Sequence, residues 1–282
     1  MSKTELLQLQ PPSRAAGSKL FLQSWMPDTD PKGVILLAHG YAEHAGRYAY
    51  FAQKCVDSGF AVYALDHWGH GRSDGDRGYV PAFSVFLDGM AALLRHVKSL
   101  HPNLPRALVG HSMGGLIAGQ HLLSNQSDYA TAVLSGPVVA PAQPVPLATR
   151  LIGRLLSVLI PKAGLLGLDP NGVSRDPEVV NDYLSDPLVY KGKISARLAA
   201  EMLDAMTGLT NHASTLTLPL MVVHGSLDSL AAPQGGQLLV ELISSADKIF
   251  DLREGLYHEV FNEPERDAVI TAVITRIAQT IG

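Results

Sequence analysis

The sequence predicts an α/β fold: a mostly parallel central sheet flanked by helices, with a helical cap inserted over the carboxyl edge. Three observations carry this. Short apolar, β-branched-rich runs alternate with helical patterns along most of the chain, which is how a parallel sheet covered by helices is written. Runs such as Val34-Ile-Leu-Leu-Ala38 are apolar at every position, as strands buried on both faces must be. The alternation then fails between Pro137 and about Thr217, so that stretch reads as an insertion.

The elements follow in order. Pieces before Asp30, including a strand at 19–25, read as an antiparallel hairpin on one edge. Further strands fall at 34–38, 61–66, 106–110, 131–135, 218–224 and 248–252. Helical patterns fill the intervals at 48–58, 83–100, 114–124, 233–245 and 266–282. The expected division is a core of residues 1–137 and 218–282 and a cap of residues 138–217. The cap starts with Pro137, Pro141, Pro144 and Pro146, and Gly164, Gly167 and Gly172 give it room to shift.

Composition bounds the function. The chain has 282 residues, 46% hydrophobic and 17% charged, with a formal net charge of −4. No basic patch recommends nucleic acid as a partner. A single cysteine, Cys55, excludes an internal disulfide framework and any multi-cysteine metal site, and suggests a reducing, cytoplasmic compartment. The N-terminus lacks the apolar core of a secretory signal. No apolar run of about 18 residues is present to span a bilayer. Nothing in the sequence sets an oligomeric state.

Chemistry concentrates at Gly110-His-Ser-Met-Gly-Gly115. A G-x-S-x-G match alone is weak. Here it closes the buried run Ala107-Leu-Val109 and opens a helix, the strand–turn–helix setting of a nucleophile elbow. Gly110 and Gly114 let the turn close, and Ser112 projects its hydroxyl. A serine needs a base to take its proton and an acid to orient the base. In this arrangement the chain order is serine, acid, histidine. Pro219-Leu-Met-Val-Val-His-Gly-Ser-Leu-Asp228 is a strand ending in a turn that delivers Asp228. Lys248-Ile-Phe-Asp-Leu252 is a strand followed by a loop that delivers His258. Asp251 lies inside a strand and Asp204 on the cap's last helix, so both are weaker candidates for the acid. His39, His111 and His224 stand at strand ends and read as packing under the loops. His96, His101 and His121 fall on or near helices and read as solvated.

Acyl transfer builds charge on the carbonyl oxygen, and held backbone N–H groups are worth ~10²–10³ in rate each. The expected donors are Met113 N–H and Tyr41 N–H, the latter from the loop His39-Gly40-Tyr41-Ala-Glu-His44. Gly40 allows the bend. Glu43, Arg47 and His111 are candidates by position for contacting substrate or supporting the site. The loop Asp66-His-Trp-Gly-His-Gly-Arg-Ser-Asp74 reads as packing below the site, with no metal and no cofactor required.

These residues resemble the monoacylglycerol lipase family of the α/β-hydrolase fold. The matching stretches are His39-Gly-Tyr-Ala-Glu-His-Ala-Gly-Arg-Tyr48, residues 66–75, Gly110–Gly115, Asn181-Asp-Tyr-Leu-Ser-Asp-Pro-Leu188, Val223-His-Gly-Ser-Leu-Asp228 and Tyr257-His-Glu259. They cover most of the chain from about residue 20. The resemblance implies hydrolysis of a monoacylglycerol to glycerol and a fatty acid. Two departures stand out: Tyr41 replaces a small residue, and no cysteine follows the acid. They bear on glyceride preference and point to a microbial member. A broad carboxylesterase or lysophospholipase would use the same triad, and a non-catalytic ligand-binding relative is a third reading.

Within the cap, Leu147, Leu151, Ile152, Leu155, Leu156, Leu159 and Ile160 recur at helical spacing, with Arg150, Arg154 and Ser157 opposite. One reading is an interfacial helix touching a membrane surface. The other is a helix packing its apolar face on the domain.

Overall fold

The computed structural model describes residues 2–140 and 146–281. Pro141 and Pro144 of the expected cap, and Gly282 at the end of the last expected helix, lie outside them.

Among the described residues the first half runs β1 (Ser2–Gln8), β2 (Lys19–Trp25), β3 (Gly33–Ala38), α1 (Ala49–Asp57), β4 (Phe60–Leu65), α2 (Ser84–Leu100), β5 (Arg106–His111), α3 (Met113–Asn125) and β6 (Thr131–Ser135). The interrupting segment holds α4 (Leu147–Leu159), β7 (Gly164–Leu166), α5 (Pro177–Ser185), β8 (Ile194–Ser195) and α6 (Ala196–His212). The chain then closes with β9 (Leu220–Gly225), α7 (Pro233–Leu242), β10 (Lys248–Arg253) and α8 (Arg266–Ile281).

Eight strands form one sheet in the order β1-β2-β4-β3-β5-β6-β9-β10. Only β1 and β2 run antiparallel to their neighbours, so the expected edge hairpin is present. Strands β3, β4, β5, β6 and β9 are covered on both faces. Leu36, Leu108, Leu134 and Val222 belong to one core, and Leu37, Val109, Val133 and Val223 to the other. Successive side chains alternate between faces, which is why both must be apolar. Phe86 and Met90 of α2 and Leu116 of α3 fill the first core. Phe51 of α1 and Val273 and Ile277 of α8 fill the second. Each buried Leu, Ile, Val or Phe contributes ~1.5–3 kcal/mol, enough to make the sheet a rigid platform.

The carboxyl ends of β3, β5, β9 and β10 share one edge. Ligands of open α/β sheets bind there. The inserted segment leaves β6 from this edge, and its α6 lies along α3. Two features depart from the expected helical content. β7 and β8 pair as an antiparallel ribbon. In α4 the apolar side faces outward: Leu155 is 57% exposed and Leu159 67%, whereas Ser157 is 3% exposed. The reading in which this face packs on the domain is therefore incorrect for these residues. Small residues, Gly153 and Ser157, leave more of their surface in the protein than the leucines do.

Candidate active site

Ser112 follows the last residue of β5 and turns the chain into α3 with φ 55° and ψ −119°. Such a backbone costs a non-glycine residue ~1–3 kcal/mol and persists only where the surroundings over-determine it. Here they do. Ser112 N–H donates to Ser135 O at 2.9 Å, and Ser112 O accepts from the N–H groups of Gly115, Leu116 and Val138. A Cβ on Gly110 would stand 2.5 Å from Gly114 O, and one on Gly114 would collide with Ala38 O. The tight turn therefore requires glycine at both positions.

Ser112 Oγ lies 2.8 Å from His258 Nε2, and His258 Nδ1 lies 2.7 Å from Asp228 Oδ2. A carboxylate only accepts, so Nδ1 carries the ring proton and Nε2 is left to accept from the serine hydroxyl. Asp228 is itself held by donors. Its Oδ1 accepts from Leu230 N–H at 2.8 Å and Ala231 N–H at 2.9 Å, and its Oδ2 also meets His224 Nε2 at 3.0 Å. Burial pushes the Asp228 carboxyl up, but hydrogen bonds from His224 and His258 and the charge on His258 hold it below its ordinary value. Burial pushes His258 down. The hydrogen bond and charge of Asp228, with Glu259 and Glu43 behind, outweigh that and raise it above free imidazole.

Tyr41 and Met113 both line the cavity beside Ser112. Neither backbone N–H is bonded to another group among the described residues, so both are free to meet an oxyanion. The loop carrying Tyr41 approaches closely: a Cβ on Gly40 would lie 3.2 Å from Ser112 Cβ. The next residue, Ala42, is also strained at φ 69°, and its carbonyl accepts from Tyr190 N–H of the inserted segment at 2.8 Å.

Glu43, Arg47 and His111, candidates for contacting substrate or for supporting the site, do not line that cavity; their contacts are with the loops around it. Glu43 Oε1 accepts from Gly40 N–H and Tyr48 OH, each at 2.6 Å. Arg47 Nη1 bridges Glu43 Oε2 at 2.9 Å and Glu259 Oε1 at 2.6 Å, and its Nη2 reaches Glu259 Oε2 at 2.8 Å. The loop after β3 is thereby clamped to the loop after β10. Burial pushes Glu259 up, but the charge and fork of Arg47 overcome it and hold Glu259 low. Burial raises Glu43, with the charge of Glu259 adding to it against Arg47. The His111 ring packs tilted against the His258 ring, centroids 4.7 Å apart and planes at 51°, and it meets Ser135 Oγ at 3.1 Å. Burial, with the charge of His258, pushes it down to about 3, so no second cation forms beside the base.

Glu259 and Tyr48 were not among the candidate site residues. Their sequence signal was their place in the family-like stretches His39–Tyr48 and Tyr257–Glu259, beside Arg47 and His258. Two other sequence readings have structural answers. His39 accepts from His67 N–H at 2.9 Å and its Nδ1 meets Gly40 O at 2.7 Å, so it does brace the loop from below. His121, expected in solvent, is buried and meets Tyr129 OH at 3.0 Å. In the 66–74 loop, Asp66 accepts from Ala45 and Arg72 N–H, both at 2.8 Å.

The cavity above Ser112 measures about 400 Å³. Its walls include Leu166, Leu168, Leu230 and, from one stripe of α6, Ala199, Met202, Leu203 and Met206. Among the described residues, no lysine, arginine, aspartate or glutamate lines it.

Comparison with known proteins agrees with this arrangement. A family profile described as serine aminopeptidase, S33 matches residues 29–265. The chain is 43% identical over 261 residues to a monoacylglycerol lipase of Mycolicibacterium smegmatis, covering 93% of each. It is 35% identical over 254 residues to human monoglyceride lipase, covering 88% of this chain and 82% of the relative. The crystal structure of Paleococcus ferrophilus monoacylglycerol lipase superposes with a TM-score of 0.83 at 28% identity, over 93% of this chain and 99% of that one. With this sheet order, this elbow and these relatives, the chain belongs to the serine aminopeptidase S33 family of α/β-hydrolases and, within that fold, to the monoacylglycerol lipase family.

Proposed function

We propose that this chain hydrolyses monoacylglycerols to glycerol and a fatty acid, as a serine carboxylic ester hydrolase working through an acyl-enzyme. The observation that carries the reading is the Ser112–His258–Asp228 chain of short hydrogen bonds opening onto an uncharged, mainly apolar cavity. Ser112 Oγ attacks the ester carbonyl while His258 Nε2 takes its proton. The oxyanion of the tetrahedral intermediate meets Tyr41 and Met113 N–H. As the C–O bond breaks, His258 returns the proton to the glycerol oxygen, leaving the acyl group on Ser112. Water, deprotonated by His258, attacks the acyl-enzyme. His258 then reprotonates Ser112, and the fatty acid leaves. Asp228 keeps His258 in the required tautomer and balances its transient charge.

In this reading residues 138–217 act as the cap and residues 1–137 with 218–282 as the core. The acyl chain lies against Leu168, Met202, Leu203 and Met206. An aminopeptidase would need an acidic anchor for the substrate's amino group, and the described residues of the cavity include none. A lysophospholipid would bring a phosphate, and the described lining residues include no lysine or arginine to meet it.

The outward side of α4 and β7 carries exposed apolar residues, including Leu151, Leu155, Leu159 and Leu166, with Arg150 and Arg154 on the same helix. Exposed apolar patches of this kind mark interaction surfaces, and we assign this one to peripheral contact with lipid. No described helix is long and apolar enough to cross a membrane.

Ser112→Ala tests the chemistry. It should keep the circular dichroism spectrum of the parent, lose labelling by a fluorophosphonate probe, and lower kcat on a monoacylglycerol by at least ~10⁴-fold. Parent-like turnover in that variant would overturn the assignment. Assay of monoacylglycerols beside lysophospholipids and short nitrophenyl esters ranks the substrates.

A further inference from the structure

A second imidazole touches the acid. His224 is the fifth residue of β9 and is fully buried. Its Nε2 lies 3.0 Å from Asp228 Oδ2 and 2.9 Å from Ala231 O. A peptide carbonyl can only accept, so Nε2 must carry the proton and donate. Asp228 Oδ2 therefore takes an N–H from His258 on the cavity side and one from His224 on the strand side. Its Oδ1 takes the two backbone N–H groups of Leu230 and Ala231. A carboxylate has about four lone-pair sites, so all are occupied. Rotating the carboxylate away from His258 would break several charge-assisted bonds at once.

The ring also has a built seat. A Cβ at Gly236 of α7 would stand 2.9 Å from His224 Nδ1, so the imidazole fits because residue 236 lacks one. His224 does not line the cavity and takes no part in the proton transfers above.

We propose that His224 is a positioning residue: by donating Nε2–H to Asp228 it locks the carboxylate in the orientation that holds His258 for catalysis. The proposal rests on the hydrolase reading above. The rival is a histidine that only fills space between β9 and α7.

The two differ in what a glutamine does. His224→Gln can place an amide N–H where the ring Nε2–H stood, whereas His224→Leu fills space without a donor. We expect His224→Leu to lower kcat by about 10- to 100-fold, the scale on which loss of a partner that orients an imidazole is felt, with KM changed less than about twofold. His224→Gln should recover kcat to within about fivefold of the parent, on the same reasoning. Parent-like kcat in His224→Leu, or a glutamine variant as slow as the leucine variant, overturns the proposal. Should the leucine variant not fold, the fluorophosphonate labelling rate of His224→Gln decides. A rate near the parent's supports the donor role, and one reduced tenfold or more overturns it. Ser112→Ala assayed alongside separates the two levels, since its activity would sink the triad reading, whereas normal behaviour of the His224 variants alone would sink only this proposal.

Discussion

Ser112 is held in a strained turn, and its proton acceptor is tuned by what lies behind it. His258 must be neutral to accept that proton. Asp228 raises its proton affinity against the effect of burial, and Glu259 and Glu43 add to this. The sign follows directly: with the folded pKa above the free value of ~6.5, activity is lost as pH falls through that raised value. The acid limb of kcat/KM should therefore lie above the limb an unperturbed imidazole would give. A limb at or below ~6.5 in a pH–rate profile would contradict this. The three residues joined by hydrogen bonds, Ser112, His258 and Asp228, were legible in the sequence because each follows a strand, in the order serine, acid, histidine. The fate of Glu43, Arg47 and His111 was not. Their positions near the site were readable, but their partners were not: Arg47 meets Glu259, 212 residues beyond it, and His111 meets Ser135 and the His258 ring.

Loops that carry chemistry are joined here by buried charge. Arg47 is the shared cation of two carboxylates, with side-chain exposures of 10%, 4% and 6% for Arg47, Glu43 and Glu259. Arg47→Met would leave both carboxylates buried without it. Breaking a buried pair this way costs about 3–5 kcal/mol, so thermal unfolding should show a large fall in Tm. Arg47→Lys keeps the charge but loses the two-pronged fork and should recover only part of the loss. The start of α3 is equally intolerant. Gly114→Ala drives a methyl into the Ala38 carbonyl, and little folded protein should be recovered, as read by soluble yield and circular dichroism. The strands were readable because a doubly covered strand is apolar throughout. The β7–β8 ribbon was not, being three and two residues long and too short to display a period.

Across the whole molecule, the sheet's carboxyl edge, the inserted segment and the cavity form one functional surface. Leu166 both lines the cavity and is exposed among the outward-facing apolar residues, so the exposed apolar face and the cavity beside Ser112 share a border. Replacing Leu155 and Leu159 with glutamate should weaken sedimentation with liposomes by at least tenfold, since burying each leucine is worth ~1.5–3 kcal/mol. Hydrolysis of a soluble short-chain ester should remain close to that of the parent, and unchanged liposome binding would refute the assigned contact. From its apolar periodicity and motif spacing, the chain already specified an α/β sheet, an interruption after the strand at 131–135, and the serine, aspartate and histidine that meet above it. These are properties of neighbours along the chain, where repeat length and strand-end position are written locally. Packing alone decided that α4 turns its leucines outward, that Arg47 meets Glu259, and that His224 shares the acid with His258. Each depends on which distant segments exclude water together, and no local period encodes that.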